Sequence, residues 1–188
     1  MTTPASPESP PAPVTIPGDR PILLVGMMGS GKSSVGRRLA ARLGLPFHDA
    51  DDEIEAAAGM SISEIFARYG EPHFRDGERR VIARLLDQGR SVIATGGGAF
   101  AEEDTRALIL DRGIAVWLDV PVDVLVERVA RRSHRPLLHG RDPRAVLDEL
   151  LERRGPAYAR AQLRVAVDNA PHDRTVEAVM NALEGYRE

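Results

Sequence analysis

The chain has 188 residues, 43% of them hydrophobic and 28% charged, with a formal net charge of −3. That is the length of one domain able to bury its own core, and the slightly acidic balance argues against a dedicated nucleic-acid binder. With no cysteine, a disulfide framework, a thiolate catalyst and a cysteine-ligated zinc or iron–sulfur site are excluded.

Residues 1–20 carry six prolines and few apolar side chains. Such a segment buries too little surface to offset its chain entropy, so a disordered tail is expected, with a single folded domain over 21–188. Ile22–Val25 is a short apolar run and reads as a buried strand. Residues 31–43 follow with Val35, Leu39 and Leu43 on one helical face. Phe47-His48 is a short strand. Helices are predicted at 50–58 and 61–69, the second opened by a Ser61/Glu64 capping box, and at 72–88. Ser91–Thr95 is a strand stopped by three glycines. A helix at 102–112, a strand at Ile114–Leu118 and a helix over Val122–Arg131 come next. Residues 132–142 are polar and irregular. A helix at 143–161, a strand at Arg164–Val167 and a helix at 174–187 close the chain. Continuous apolar strands alternating with helices predict an α/β fold: a five-stranded parallel sheet flanked by helices in three layers. Ligands bind such sheets beyond the carboxyl ends of the strands.

The segment Gly26-Met27-Met28-Gly29-Ser30-Gly31-Lys32-Ser33 fits the phosphate-loop pattern G-x-x-x-x-G-K-[ST], placed between a strand and a helix as the mechanism requires. Its glycines let successive N–H groups face phosphate oxygens, and the following helix adds its positive end. Lys32 reaches the β- and γ-phosphates, and the Ser33 hydroxyl ligates Mg²⁺. Lys32 is also the only lysine among 25 basic side chains. Arginine replaces lysine on most surfaces, but not where a compact ammonium must fit among phosphates. A nucleoside triphosphate with Mg²⁺ is what this implies.

Other segments leave two readings open. Asp49-Ala50-Asp51-Asp52 follows a strand: its carboxylates hold Mg²⁺ through water or orient an attacking hydroxyl, or else they cap the next helix. Arg75, Glu78, Arg79 and Arg80 are a solvated helix face or part of a site. Gly96-Gly97-Gly98 allows close backbone approach to a ligand, or is a flexible turn. Arg-rich residues 131–141 suit a closing lid that brings an arginine to the transferring phosphoryl group, or a solvated loop. No aromatic residues are interleaved there for base stacking. The five histidines have no metal-ligand spacing. Trp117 and the set Leu147, Leu150 and Leu151 read as core.

In this order, GMMGSGKSSVGRRLA, FHDADDEIE, SISEIFARYGEPHFRDGE, ATGGGA, HRPLL and RRGPAY resemble the shikimate kinase family over nearly the whole chain after the tail. The phosphate loop is shared with many nucleotide enzymes; the D-x-D, F-R-x-x-E, G-G-G, R-P-L-L and R-x-P-x-Y segments are more specific. The resemblance implies a phosphate-loop fold like that of nucleoside monophosphate kinases, with a lid at about 132–142, and transfer of phosphate from ATP to the 3-hydroxyl of shikimate. It implies that Gly29, Ser30, Gly31, Lys32, Ser33 and Ser34 enclose the ATP phosphates, with Ser33 and Asp49 at the metal. Asp51 would bind the acceptor hydroxyl and take its proton. Arg75 and Arg154 would bind the substrate carboxylate, and Gly97 would contact substrate through its backbone. Arg135 would reach the phosphates from the lid, and Arg131 would lie against adenine. Ser34 stands where the family commonly has Thr, and the loop at 168–172 has no confident match.

A gluconate-type sugar-acid kinase, a nucleoside monophosphate kinase and a catalytically silent nucleotide-binding module are the competing functions. A GTPase is disfavoured, because a single lysine leaves no N-K-x-D motif. No apolar run is long enough to span a bilayer, and the start of the chain lacks a secretory signal pattern. The expectation is a cytoplasmic monomer with a small-molecule substrate and no nucleic-acid or membrane partner.

Overall fold

A computed structural model describes residues 18–131 and 142–187. Most of the predicted tail at 1–20 and of the predicted lid at 132–142, including Arg135, lies outside the described residues.

Five strands form one parallel sheet: β1 (Ile22–Val25), β2 (Phe47–Asp49), β3 (Val92–Ala94), β4 (Ile114–Asp119) and β5 (Leu163–Ala166). Their order is β2-β3-β1-β4-β5. Every residue of β1 and β3 is buried, as is β4 up to its last residue, because helices cover both faces. The helices are α1 (Lys32–Leu43), α2 (Ala50–Ala58), α3 (Ile62–Asp87), α4 (Glu103–Arg112), α5 (Val122–Ala130), α6 (Pro143–Tyr158) and α7 (His172–Gly185). The chain leaves central β1 for β2 at one edge, returns through β3 beside β1, then crosses to β4 and β5 on the other side. That change of direction opens a crevice at the carboxyl end of β1.

Three differences from the sequence reading have local causes. The helices predicted at 61–69 and 72–88 form one element, α3, kinked at Gly70 (φ 81°, ψ 172°). The glycine tolerates that backbone, and the break places Pro72 in the first turn of the second segment, where its missing N–H costs nothing. The predicted capping box at Ser61 and Glu64 is present. A 3-10 turn over Ala99–Ala101 follows the triple glycine; buried Arg106 braces it by donating to the Phe100 and Ala101 carbonyls at 3.2 and 2.9 Å. Helix α6 ends at Tyr158, three residues earlier than predicted, because Ala159 and Arg160 turn back onto Gly155 and Ala157.

Helix α1 lies against the sheet through Gly36. A Cβ there would come within 2.6 Å of the Phe47 ring and 3.3 Å of Leu24. Gly77 on α3 has nothing within 4 Å of its Cβ position. The two positions therefore separate packing from helix propensity. Overpacking costs about 1–3 kcal/mol and exceeds the propensity gain of up to about 1 kcal/mol, so Gly36→Ala should destabilise the fold. Gly77→Ala should stabilise it by about 0.5–1 kcal/mol. Urea unfolding of both variants checks the opposite signs.

Candidate active site

The phosphate loop runs from Gly26 at the end of β1 to the first turn of α1. Gly29 and Gly31 have φ of 81° and 92°, a left-handed backbone that only glycine adopts without strain. Neither could carry a side chain for a second reason: a Cβ on Gly29 would press on Val129 of α5, and one on Gly31 on the His172 imidazole, each at 3.1 Å. Lys32 folds back over the loop, and its Nζ donates to the Gly26 and Met27 carbonyls at 2.9 Å each. Ser30 is buried beneath it. Ser34 is the third residue of α1 and lines the same cleft.

Asp49 ends β2, the strand beyond β3. Its Oδ2 accepts a 2.6 Å hydrogen bond from Ser33 Oγ, while its Oδ1 caps α2 by accepting from the Asp51 N–H at 3.2 Å. The helix-cap reading of this aspartate holds for one oxygen, and the other is engaged by the phosphate-loop hydroxyl. Among the described residues, no cluster of three or more His, Asp or Glu side chains could hold a metal ion. A hydroxyl paired with one carboxylate fits Mg²⁺ all the same, since this cation takes few protein oxygens and fills its shell with phosphates and water. Asp51, the second residue of α2, lines the cleft. Burial, and then the charge of Asp49, raise its pKa above the usual aspartate value, opposed by Lys32.

The triple glycine after β3 is a place of close approach rather than a flexible hinge, and each glycine makes room for different groups. A Cβ on Gly96 would sit 2.7 Å from Glu78 Oε1 and 2.9 Å from Asp51 Oδ1. On Gly97 it would meet the Met28 N–H group and Arg154 at 3.4 and 3.7 Å. On Gly98 it would collide with the Arg75 guanidinium at 2.4 Å. Backbone without side chains thus gathers groups from α2, α3 and α6 around one turn.

Arg75 is no solvated helix charge: its side chain is 17% exposed, and Glu78, one turn on, is 1% exposed. Glu78 Oε2 accepts from Arg75 Nη1 at 2.6 Å. Its other oxygen has no protein hydrogen-bond partner, and burial pushes its pKa up against the pull of Arg75. On the far side of the turn, the fully buried Tyr158 hydroxyl donates to the Gly97 carbonyl. Burial raises the pKa of this tyrosine, and the positive charge of Arg154, one turn earlier on α6, opposes that rise. Trp117, core as expected, stacks on Tyr158 with ring centroids 6.0 Å apart. The RRGPAY segment, which by itself reads as a basic helix end, therefore brings Arg154 and Tyr158 to the glycine turn.

The cleft has a volume of about 540 Å³ and is lined by the phosphate loop, Asp49, Asp51, Gly97, Arg131 and the loop at 169–172. The sequence reading missed Arg128. Its guanidinium donates to the Ser30 carbonyl at 3.4 Å and the Asp168 carbonyl at 3.1 Å, clamping the phosphate loop to the segment after β5. A signal was present: Arg128 lies three residues before Arg131, on a short helix whose apolar face is Leu125 and Val129. His172, at the end of the 168–172 loop that the family resemblance left unmatched, forms part of the wall beside Gly31.

Comparison with known proteins fits this geometry. A solved shikimate kinase from Acinetobacter baumannii, in complex with shikimate, superposes with a TM-score of 0.82 at 37% identity, over 86% of this chain and 91% of that one. A gluconokinase from Sinorhizobium meliloti shares the fold at 21% identity and a TM-score of 0.56, over 88% of this chain and 91% of that one. A curated shikimate kinase from Caulobacter vibrioides is 62% identical over 162 residues, which is 86% of this chain and 81% of the relative. Since the sequence profile described as Shikimate kinase also matches residues 28–184, the chain belongs to the shikimate kinase family.

Proposed function

We propose that the chain transfers the γ-phosphoryl group of ATP to the 3-hydroxyl of shikimate. The observation that carries this reading is the glycine turn at 96–98, which sets Asp51, Arg75 and Arg154 around the mouth of the phosphate loop. A planar guanidinium fork suits a carboxylate, and a carboxylate base suits a hydroxyl. Two arginines beside one base therefore fit an acceptor that carries both groups.

In this mechanism Gly29 to Ser34 and Lys32 hold the phosphates through backbone N–H groups and one ammonium. Ser33 and Asp49 would hold Mg²⁺, which when bound neutralises charge on the β- and γ-phosphates. Arg75 and Arg154 fix the acceptor by its carboxylate, and the Gly97 backbone bears on the ring. Asp51 orients the acceptor hydroxyl and takes its proton as that oxygen bonds to phosphorus and the bond to the β-phosphate oxygen breaks. Positioning and electrostatics supply most of the acceleration, because a loose phosphoryl-transfer transition state asks for little covalent help. Arg131, with Arg128, lines the end of the cleft where the base would lie. Arg135 is assigned to the phosphates by the family resemblance. The same proposal has the chain acting as a cytoplasmic monomer.

A coupled ADP-release assay with shikimate, gluconate and AMP tests the reading. Turnover with shikimate and almost none with the other two is expected. Comparable turnover of gluconate would assign the site to a sugar-acid kinase instead.

A further inference from the structure

Arg75 has more negative partners than a substrate-binding arginine needs. Glu78 holds Nη1 from the buried side. On the opposite edge, Glu71 Oε1 accepts from both Nε at 3.3 Å and Nη2 at 3.1 Å. Glu102 stands 3.7 Å from Nε. The three carboxylates differ in freedom to leave. Glu78 is 1% exposed, whereas Glu71 is 60% exposed and Glu102 48%. Glu71 begins the second segment of α3, just after the Gly70 kink, so one turn of helix carries its carboxylate onto the Arg75 fork.

The guanidinium offers a carboxylate few open edges. Its Nη atoms fill the space that a side chain on Gly98 would take, Nη1 is committed to Glu78, and the Nε/Nη2 edge, the natural seat for a two-point carboxylate contact, is taken by Glu71. We infer that Glu71 is an internal competitor: its carboxylate occupies the place of the acceptor carboxylate on Arg75 and must be displaced for substrate to bind. This rests on the proposed role of Arg75 in holding a carboxylate acceptor. The device keeps a buried arginine oriented and charge-balanced without substrate, and it weakens binding of every anionic acceptor by the same factor. Glu78, in contrast, stays in place and orients the guanidinium.

Competition predicts a variant that binds substrate more tightly. Glu71→Gln retains size and removes the charge. Exposed ion pairs are weak, so the Michaelis constant for shikimate should fall about threefold. The turnover number and the Michaelis constant for ATP should stay unchanged. The gain should shrink in high salt, which screens the pair, and should vanish with the methyl ester of shikimate, which offers no anion to compete. A purely structural role for Glu71, as an acid favoured in a first helical turn, would lower thermal stability without tightening binding. The competition is overturned if Glu71→Gln leaves the Michaelis constant for shikimate unchanged or raises it, or if the ester shows the same gain. Lack of ADP release by the wild-type chain with shikimate would instead overturn the functional reading beneath it.

Discussion

Replacing Lys32 by Arg should lower kcat by about 100-fold or more, a barrier increase of about 3 kcal/mol. The charge is unchanged, so the expected loss comes from shape. Lys32 Nζ sits 2.9 Å from two successive loop carbonyls, those of Gly26 and Met27, and 3.5 Å from Ser30 Oγ. An ammonium can donate in three directions from one small volume. A guanidinium is flat, spreads its donors over a wide fork and projects farther from the helix. In this loop it would push against the carbonyls or the phosphates, and Gly29 and Gly31 have Val129 and His172 behind them, which limits retreat. Single-turnover measurements with shikimate would separate lost chemistry from lost nucleotide binding. Near-native turnover would remove Lys32 from the transfer step.

Asp51→Asn should reduce kcat by roughly 100-fold, the scale of general-base and positioning effects, while Mg·ADP binding persists because the phosphate loop is untouched. The same variant should unfold at a higher temperature than the wild type at neutral pH. Burial and Asp49 raise the folded-state pKa of Asp51 above its ordinary value of 3.8. Around neutral pH the ionised carboxylate therefore favours the unfolded chain, where it is fully solvated. As pH rises from below 3.8 through the folded-state pKa, the wild type loses stability that the neutral Asn retains; below 3.8 the difference should close. Loss of activity with gain of stability is the signature of a group kept for chemistry rather than for the fold. Full activity in Asp51→Asn, or a lower melting temperature at neutral pH that does not converge in acid, would contradict this role. In the proposed mechanism the Arg75 and Arg154 guanidiniums hold a part of the substrate that forms no new bond, so alanine at either should chiefly raise the Michaelis constant for shikimate.

Much of the architecture was legible in the sequence because its signals are local. Apolar runs such as Ile22–Val25 and Ile114–Leu118 require burial on both faces, and alternation with amphipathic stretches leaves a parallel sheet as the natural arrangement. The phosphate loop is equally local, since one run of eight residues supplies the turn, the N–H groups, the ammonium and the hydroxyl. What stayed ambiguous were charges whose meaning depends on distant neighbours. Arg75 and Glu78 look like a solvated helix face until the Gly96–Gly98 turn packs against them, burying Glu78 and most of Arg75. Arg154 looks like a basic helix end until Tyr158 reaches the Gly97 carbonyl, 61 residues away. Arg128 carries no motif and gains its place only through the carbonyls of Ser30 and Asp168.

By itself the sequence determined the strands, the phosphate cradle and the residue types available for transfer, because hydrophobic periodicity and backbone conformation act over a few residues. It could not set the order β2-β3-β1-β4-β5, nor choose which of its many arginines face a substrate. Those were decided by tertiary packing. Insertion of β3 between β1 and β2 brings the glycine turn between the phosphate loop and Asp51. The missing side chains at Gly96 and Gly98 then let Asp51, Glu78 and Arg75 approach one stretch of backbone at distances that a Cβ would forbid, with Arg154 in ordinary contact beside Gly97.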